Sequence, residues 1–163
     1  MIIVKKTGHL QYKNLKFRCA LGKAGIKRKR KEGDNITPKG TFKIPKIYYR
    51  PDKIKNIKTS VRKIKIKKNM GWCDDPNSIH YNKQIKLPSK FSHEKLYRKD
   101  NLYDLFLVLN YNTNPVLKNK GSAIFLHITK DSYKETKGCI ALKREDLIQL
   151  ISKIKKNTKI KIN

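Results

Sequence analysis

Apolar and polar residues alternate along most of this chain, and a period of two predicts strands. Leu15, Phe17, Cys19 and Leu21 alternate with Lys16, Arg18 and Ala20, the pattern of a half-buried strand with Cys19 turned inward. In TPKGTFKIPKIYYR (37–50), Pro38 and Gly40 predict a turn, after which Phe42, Ile44, Ile47 and Tyr49 lead back into strand. Residues 57–67 repeat the alternation with lysine, as in Lys63-Ile-Lys-Ile-Lys67. Residues 69–93 carry many turn formers and read as a long, locally packed excursion. Residues 102–111 and 122–129 are denser in apolar side chains, as central strands buried on both faces are. A helical period occurs over 144–155, where Leu147, Leu150, Ile151 and Ile154 share one face and Glu145 and Asp146 occupy the first turn. Lys159 to Ile162 predicts a last edge strand. The fold class is therefore mainly β, one domain over residues 1–163 with a C-terminal helix.

Charge changes the picture next. The 163 residues include 41 basic and 12 acidic ones, a net charge of +29, which suits nonspecific contact with anionic polymers. A Lys-rich composition that only keeps the protein soluble accounts for it equally well. The run Lys27-Arg-Lys-Arg-Lys31 reads as a solvated loop, and neither an aromatic-interleaved RNA motif nor zinc-finger spacing is present, so no specific nucleic-acid partner is expected. No apolar run approaches a bilayer span. The start, MIIVKKTGHLQYK, lacks the apolar stretch of a secretory leader.

The candidate chemistry lies in IFLHITKDSYKETKGCIAL (124–142). His127 ends an apolar run, and Cys139 opens another twelve positions later, directly after Gly138. A loop of this length can return the chain so that Cys139 stands beside His127, a nucleophile with its base. Read from spacing alone, a buried thiol beside a satisfied histidine stays open. Cys19 reads as core and Cys73 as part of a turn with Trp72 packed beneath it. Three cysteines without a CxxC argue against a disulfide framework and a cysteine zinc site. Asp74 and Asp75 have no third oxygen ligand at metal-binding spacing, so no metal or cofactor is expected. His9, His80 and His93 are expected at the surface, and Tyr81 and Tyr111 border a groove or pack.

GSAIFLHI, then TKGCIAL, then KREDLIQLI resemble the YkuD-type L,D-transpeptidase catalytic domain. CALGKAGI, EGDNITPKGTFKI and GWCDDPNSIHYN extend that resemblance over nearly the whole chain. It implies a β-rich fold with a mixed sheet and a cysteine that attacks peptidoglycan stem peptides. An acyl-enzyme forms at a meso-diaminopimelate residue with loss of a terminal D-Ala, and an amine on a neighbouring stem takes the acyl group. By position, Cys139 is the nucleophile and His127 the base. The Ile128 carbonyl orients the imidazole, amides around Lys137, Gly138 and Cys139 line an oxyanion hole, and Thr136 and Arg144 hold substrate. The His and glycine neighbours of Cys139, against the apolar context of Cys19, lead us to expect it to be the one thiol with a depressed pKa, and the protein is expected to act as a monomer. Lys137 and Ala141 depart from the family pattern, which has a second histidine and an Arg or Asn there. Capture of the acyl group by water, giving an L,D-carboxypeptidase or amidase, is the near alternative, and a degenerate basic binding module the remote one. The family chemistry places the activity in the periplasm or cell wall, whereas the chain as written reads as cytoplasmic.

Overall fold

A computed structural model describes residues 1–130 and 132–163. The strands, in chain order, are β1 (Ile2–Lys5), β2 (His9–Tyr12), β3 (Leu15–Arg18), β4 (Ile26–Lys27), β5 (Thr37–Pro38), β6 (Gly40–Lys43), β7 (Lys46–Tyr49) and β8 (Lys63–Lys65). They continue as β9 (Met70–Cys73), β10 (Gln84–Lys86), β11 (His93–Lys95), β12 (Leu105–Val108), β13 (Phe125–Ile128), β14 (Ile140–Leu142) and β15 (Lys159–Ile162), with helix α1 (Arg144–Lys153) before the last.

Two five-stranded sheets organise them. One runs β3-β2-β1-β15-β6 and the other β14-β13-β12-β7-β8. Both are mixed: β1 pairs parallel with β15, β13 with β14 and β7 with β8, while the remaining ladders are antiparallel. The alternation in the sequence explains the layering. In β12 and β13, Leu105, Leu107, Leu126 and Ile128 face the first sheet and join a core with Ile2, Leu10 and the helix residues Leu147, Leu150 and Ile151. Phe106, Val108 and Phe125 project from the opposite face, where Trp72 covers them. These strands are thus buried on both sides, as their apolar density predicts.

Trp72 belongs to a small sheet of its own, β10-β9-β11, built from the excursion after residue 69. Its indole meets the Phe125 ring edge-on, with centroids 5.2 Å apart, so the small sheet lies as a flap over one face of the second large sheet. Several elements differ from the sequence pattern. Residues 37–43 make no turn: β5 pairs parallel with β4 and β6 follows extended, the chain passing from one sheet to another. Only Lys63–Lys65 of residues 57–67 is strand, because Ile54 and Val61 enter the core from irregular backbone instead. β15 is no edge, since it lies between β1 and β6 and takes ladder bonds on both sides. Helix α1 stops at Lys153 because Ile154 turns extended, and its side chain still packs in the core. The basic run is not wholly solvated either. Lys29 is buried, with its ammonium 2.5 Å from the Asp34 carboxylate.

Candidate active site

The parallel pairing of β13 with β14 brings the Cys–His pair together. Leu126 aligns with Ile140 and His127 with Ala141, which places Cys139, just before β14, level with Phe125. Side chains two apart share a face of a strand, so Cys139 and His127 project from the same side of neighbouring strands as a diagonal pair. That side is the one beneath the flap, where Cys139 packs against the cluster of Trp72, Tyr103 and Phe125. Two contacts fix the thiol itself. It donates to the Ala123 carbonyl at 3.1 Å and accepts the Phe125 amide at 3.3 Å. Among the described residues, no hydrogen bond joins Sγ to the imidazole.

The imidazole has a defined tautomer. Nδ1 lies 2.8 Å from the Ile128 carbonyl oxygen, which can only accept, so Nδ1 carries the hydrogen and Nε2 is left as the basic nitrogen. Tyr103 packs edge-on against the ring, with centroids 5.4 Å apart. Burial holds the imidazole pKa down at about 4, so the ring is neutral at pH 7. Burial likewise pushes the Cys139 thiol up to about 12, and the negative charge of Glu94 adds to this. The expected depressed thiol pKa is therefore absent in this state. The reason is physical: the sulfur faces an apolar cluster and a carbonyl acceptor, and no cation is bonded to it. Cys19 is pushed up to about 12 as well, by burial.

The turn before Cys139 is held by Thr136. Its hydroxyl donates to the Cys139 carbonyl at 2.6 Å and accepts the Gly138 amide at 3.1 Å. The amide of Gly138 is thereby engaged, while those of Lys137 and Cys139 donate to no protein acceptor among the described residues. Gly138 is required by its surroundings. Its φ is +130°, and a Cβ there would stand 2.8 Å from the Ile36 carbonyl oxygen. Gly22 packs against it so closely that a Cβ on Gly22 would lie 2.9 Å from the Gly138 Cα.

The remaining candidates lie as follows. Lys137 is exposed. Arg144 donates to Asp104 at 3.3 Å and to the Lys53 carbonyl at 2.7 Å, so its guanidinium is committed to a buried carboxylate beside the helix start. Cys73 is fully buried at the end of β9, a strand position and not the expected turn. His9 and His80 are exposed, whereas His93 is half-buried in β11 with Nδ1 2.6 Å from the Phe91 carbonyl. Tyr81 is buried, donating to Glu32 and accepting the Gly121 amide. Tyr111 borders a basic groove with Lys27, Arg28, Arg30, Leu117 and Lys120. Among the described residues there is no cluster of three metal-ligating side chains, and no helix is long and apolar enough to cross a membrane.

Three residues at the site escape the sequence reading. Asn82 is a buried hub: Oδ1 accepts the Trp72 indole N–H and the Ala123 amide, both at 3.0 Å. Its Nδ2 donates to the carbonyls of Tyr111 and Asn112 at 3.0 and 2.7 Å. Tyr103 donates to Glu94 at 2.5 Å, which sets a carboxylate in the cleft. Asn82 and Glu94 stand in polar or turn-rich stretches, and Tyr103 opens an apolar run that reads as strand core, so no pattern singles them out.

A family model described as YkuD, the L,D-transpeptidase catalytic domain, matches residues 1–162. No curated protein and no solved structure matches the chain.

Proposed function

The chain belongs to the YkuD L,D-transpeptidase catalytic domain family, and from that premise we propose that it is a cysteine acyltransferase acting on peptidoglycan stem peptides, with Cys139 as nucleophile and His127 as base. The observation that carries this reading is the imidazole tautomer. With Nδ1–H anchored on the Ile128 carbonyl, Nε2 is free to accept a proton on the sheet face that also carries the thiol.

Both partners are neutral at rest, so the reaction begins from a thiol and not from a thiolate–imidazolium pair. As the scissile carbonyl arrives, Sγ–H leaves the Ala123 oxygen and passes its proton to Nε2 while sulfur attacks carbon. The oxyanion then faces the unengaged amides of Lys137 and Cys139, with Gly138 shaping the turn that presents them. Collapse breaks the C–N bond, Nε2 returns the proton to the departing D-Ala amine, and a thioester remains. An amine on a second stem attacks the thioester, its proton passes through Nε2, and Sγ leaves as the thiol. Thr136 acts here by holding the turn, and Arg144 reaches substrate only by giving up Asp104.

Intact mass spectrometry tests the reading. Wild-type protein incubated with stem tetrapeptides, and separately with a carbapenem as an acylating trap, should gain one acyl adduct mapped to Cys139. Cys139→Ser and His127→Ala should gain none. An adduct on Cys19 or Cys73, or undiminished acylation of His127→Ala, would overturn the assignment.

A further inference from the structure

Glu94 is an anomaly of charge. In a chain with 41 basic and 12 acidic residues, the Glu94 carboxylate lies beneath the flap, on the side of the cluster against which Cys139 packs. Antiparallel pairing of β11 with β9 sets Glu94 directly opposite Trp72, so both side chains leave the same side of the flap, the side that covers Phe125. Oε2 accepts the Tyr103 phenol, and the Tyr103 ring touches both His127 and Phe125, with centroids 5.4 and 5.7 Å away. One residue therefore separates Glu94 from the base, and its charge is felt at the thiol.

Oε1 is open. Among the described residues it accepts no hydrogen bond and no lysine or arginine forms an ion pair with it. Nor is it among the side-chain atoms sealed from solvent without a partner. Burial raises the Glu94 pKa, and Arg98 and Lys137 lie close enough to favour its charged form, yet neither bonds to it. Arg98 is bound bidentately to Asp100, at 2.7 and 2.6 Å, and Lys137 is exposed beyond the turn. Asp74, across the flap, adds negative potential to the same place. A half-buried carboxylate without a bonded counter-ion is costly, and an incoming cation relieves that cost while gaining a charge-assisted hydrogen bond in partly desolvated surroundings.

We propose that Glu94 is the ammonium-binding residue of this cleft: Oε1 receives the side-chain ammonium of a diamino acid in the stem peptide and thereby selects stems that carry one. The assignment rests on the peptidoglycan reading above and makes Glu94 a specificity-determining residue. The same ammonium can come from the stem that donates the acyl group or from the one that accepts it.

Binding to the Cys139→Ser protein tests this without chemistry. A stem tetrapeptide with a diamino acid at its third position is compared by calorimetry with the same peptide acetylated on the side-chain nitrogen. The free ammonium should bind about tenfold more tightly, and Glu94→Gln in the same background should reduce that preference to less than about twofold. Glu94→Asp, which keeps the charge, should retain a preference. If Glu94 merely anchors Tyr103, both peptides weaken equally and the preference survives in Glu94→Gln, which overturns the proposal. Repeating the pair on wild-type protein already acylated by a carbapenem separates the two sources. A preference confined to the acylated protein assigns the ammonium to the acceptor stem, and one in the Cys139→Ser protein assigns it to the donor. No preference in either protein, or no binding by either peptide, overturns the proposal even if Glu94→Gln fails to fold. Failure of the acyl-transfer reading shows separately, as the absence of any adduct on wild-type Cys139.

Discussion

Asn82 holds Ala123: its Oδ1 accepts the Ala123 amide at 3.0 Å, across forty-one positions of chain. Ala123 sits at φ +43°, a left-handed conformation that a residue with a Cβ adopts only where surroundings impose it. Its carbonyl, so oriented, takes the Cys139 thiol. The flap and the Cys139 thiol are therefore joined through one residue, Ala123.

All four hydrogen-bonding positions of the Asn82 amide are used inside the protein. Asn82→Leu should lower unfolding free energy by about 3 kcal/mol, because it strands the Trp72 and Ala123 N–H groups and two carbonyls. Urea denaturation measures this. A loss below about 1 kcal/mol would mean that water replaces the hub.

His127 makes stability depend on pH in a stated direction. Its pKa falls from 6.5 to about 4 on folding, so the unfolded chain binds the extra proton between those values. The stability this group contributes is fully present above pH 6.5 and is lost as pH falls toward 4, by about 3 kcal/mol in all. His127→Gln should remove that part of the slope. Identical wild-type and variant profiles from pH 7 to 4 would show that the imidazole titrates normally in the folded protein.

The Cys139 thiol, pushed up to about 12 by burial and then by Glu94, should behave as a thiol and not as a preformed thiolate. Iodoacetamide labelling at Cys139 should accelerate steadily from pH 6 to about 10, roughly tenfold per pH unit, since only the thiolate reacts. A plateau reached near neutrality, read by peptide mapping, would instead reveal an ion pair with His127.

Arg144 is predicted to matter through Asp104. That carboxylate is buried; Oδ2 takes Arg144 at 3.3 Å, while Oδ1 accepts no hydrogen bond and has only the Lys53 ammonium, at 3.4 Å. Arg144→Met should destabilise the fold by about 3 kcal/mol, since it leaves a buried charge short of its partner. Acylation per folded molecule should change little. A variant of full stability that has lost acylation would return Arg144 to the substrate.

Local pattern was enough for the elements whose physics is local. Apolar density marks β12 and β13 because both faces of those strands need apolar cover, and the 3.6 period marks α1 because one stripe must face the core. The spacing of His127, Gly138 and Cys139 allows the two side chains to meet, yet by itself it leaves open a buried thiol beside a satisfied histidine. Sheet position was not written there: Lys159–Ile162 has the same alternation whether it ends a sheet or, as here, bridges β1 and β6. Burial was not written either. The thiol's pKa, the tautomer of His127 and the charge of Glu94 in the cleft depend on what lies over them, and the flap that covers them comes from residues 69–97, far away along the chain. A sequence orders neighbours along a line, whereas desolvation and charge act through space.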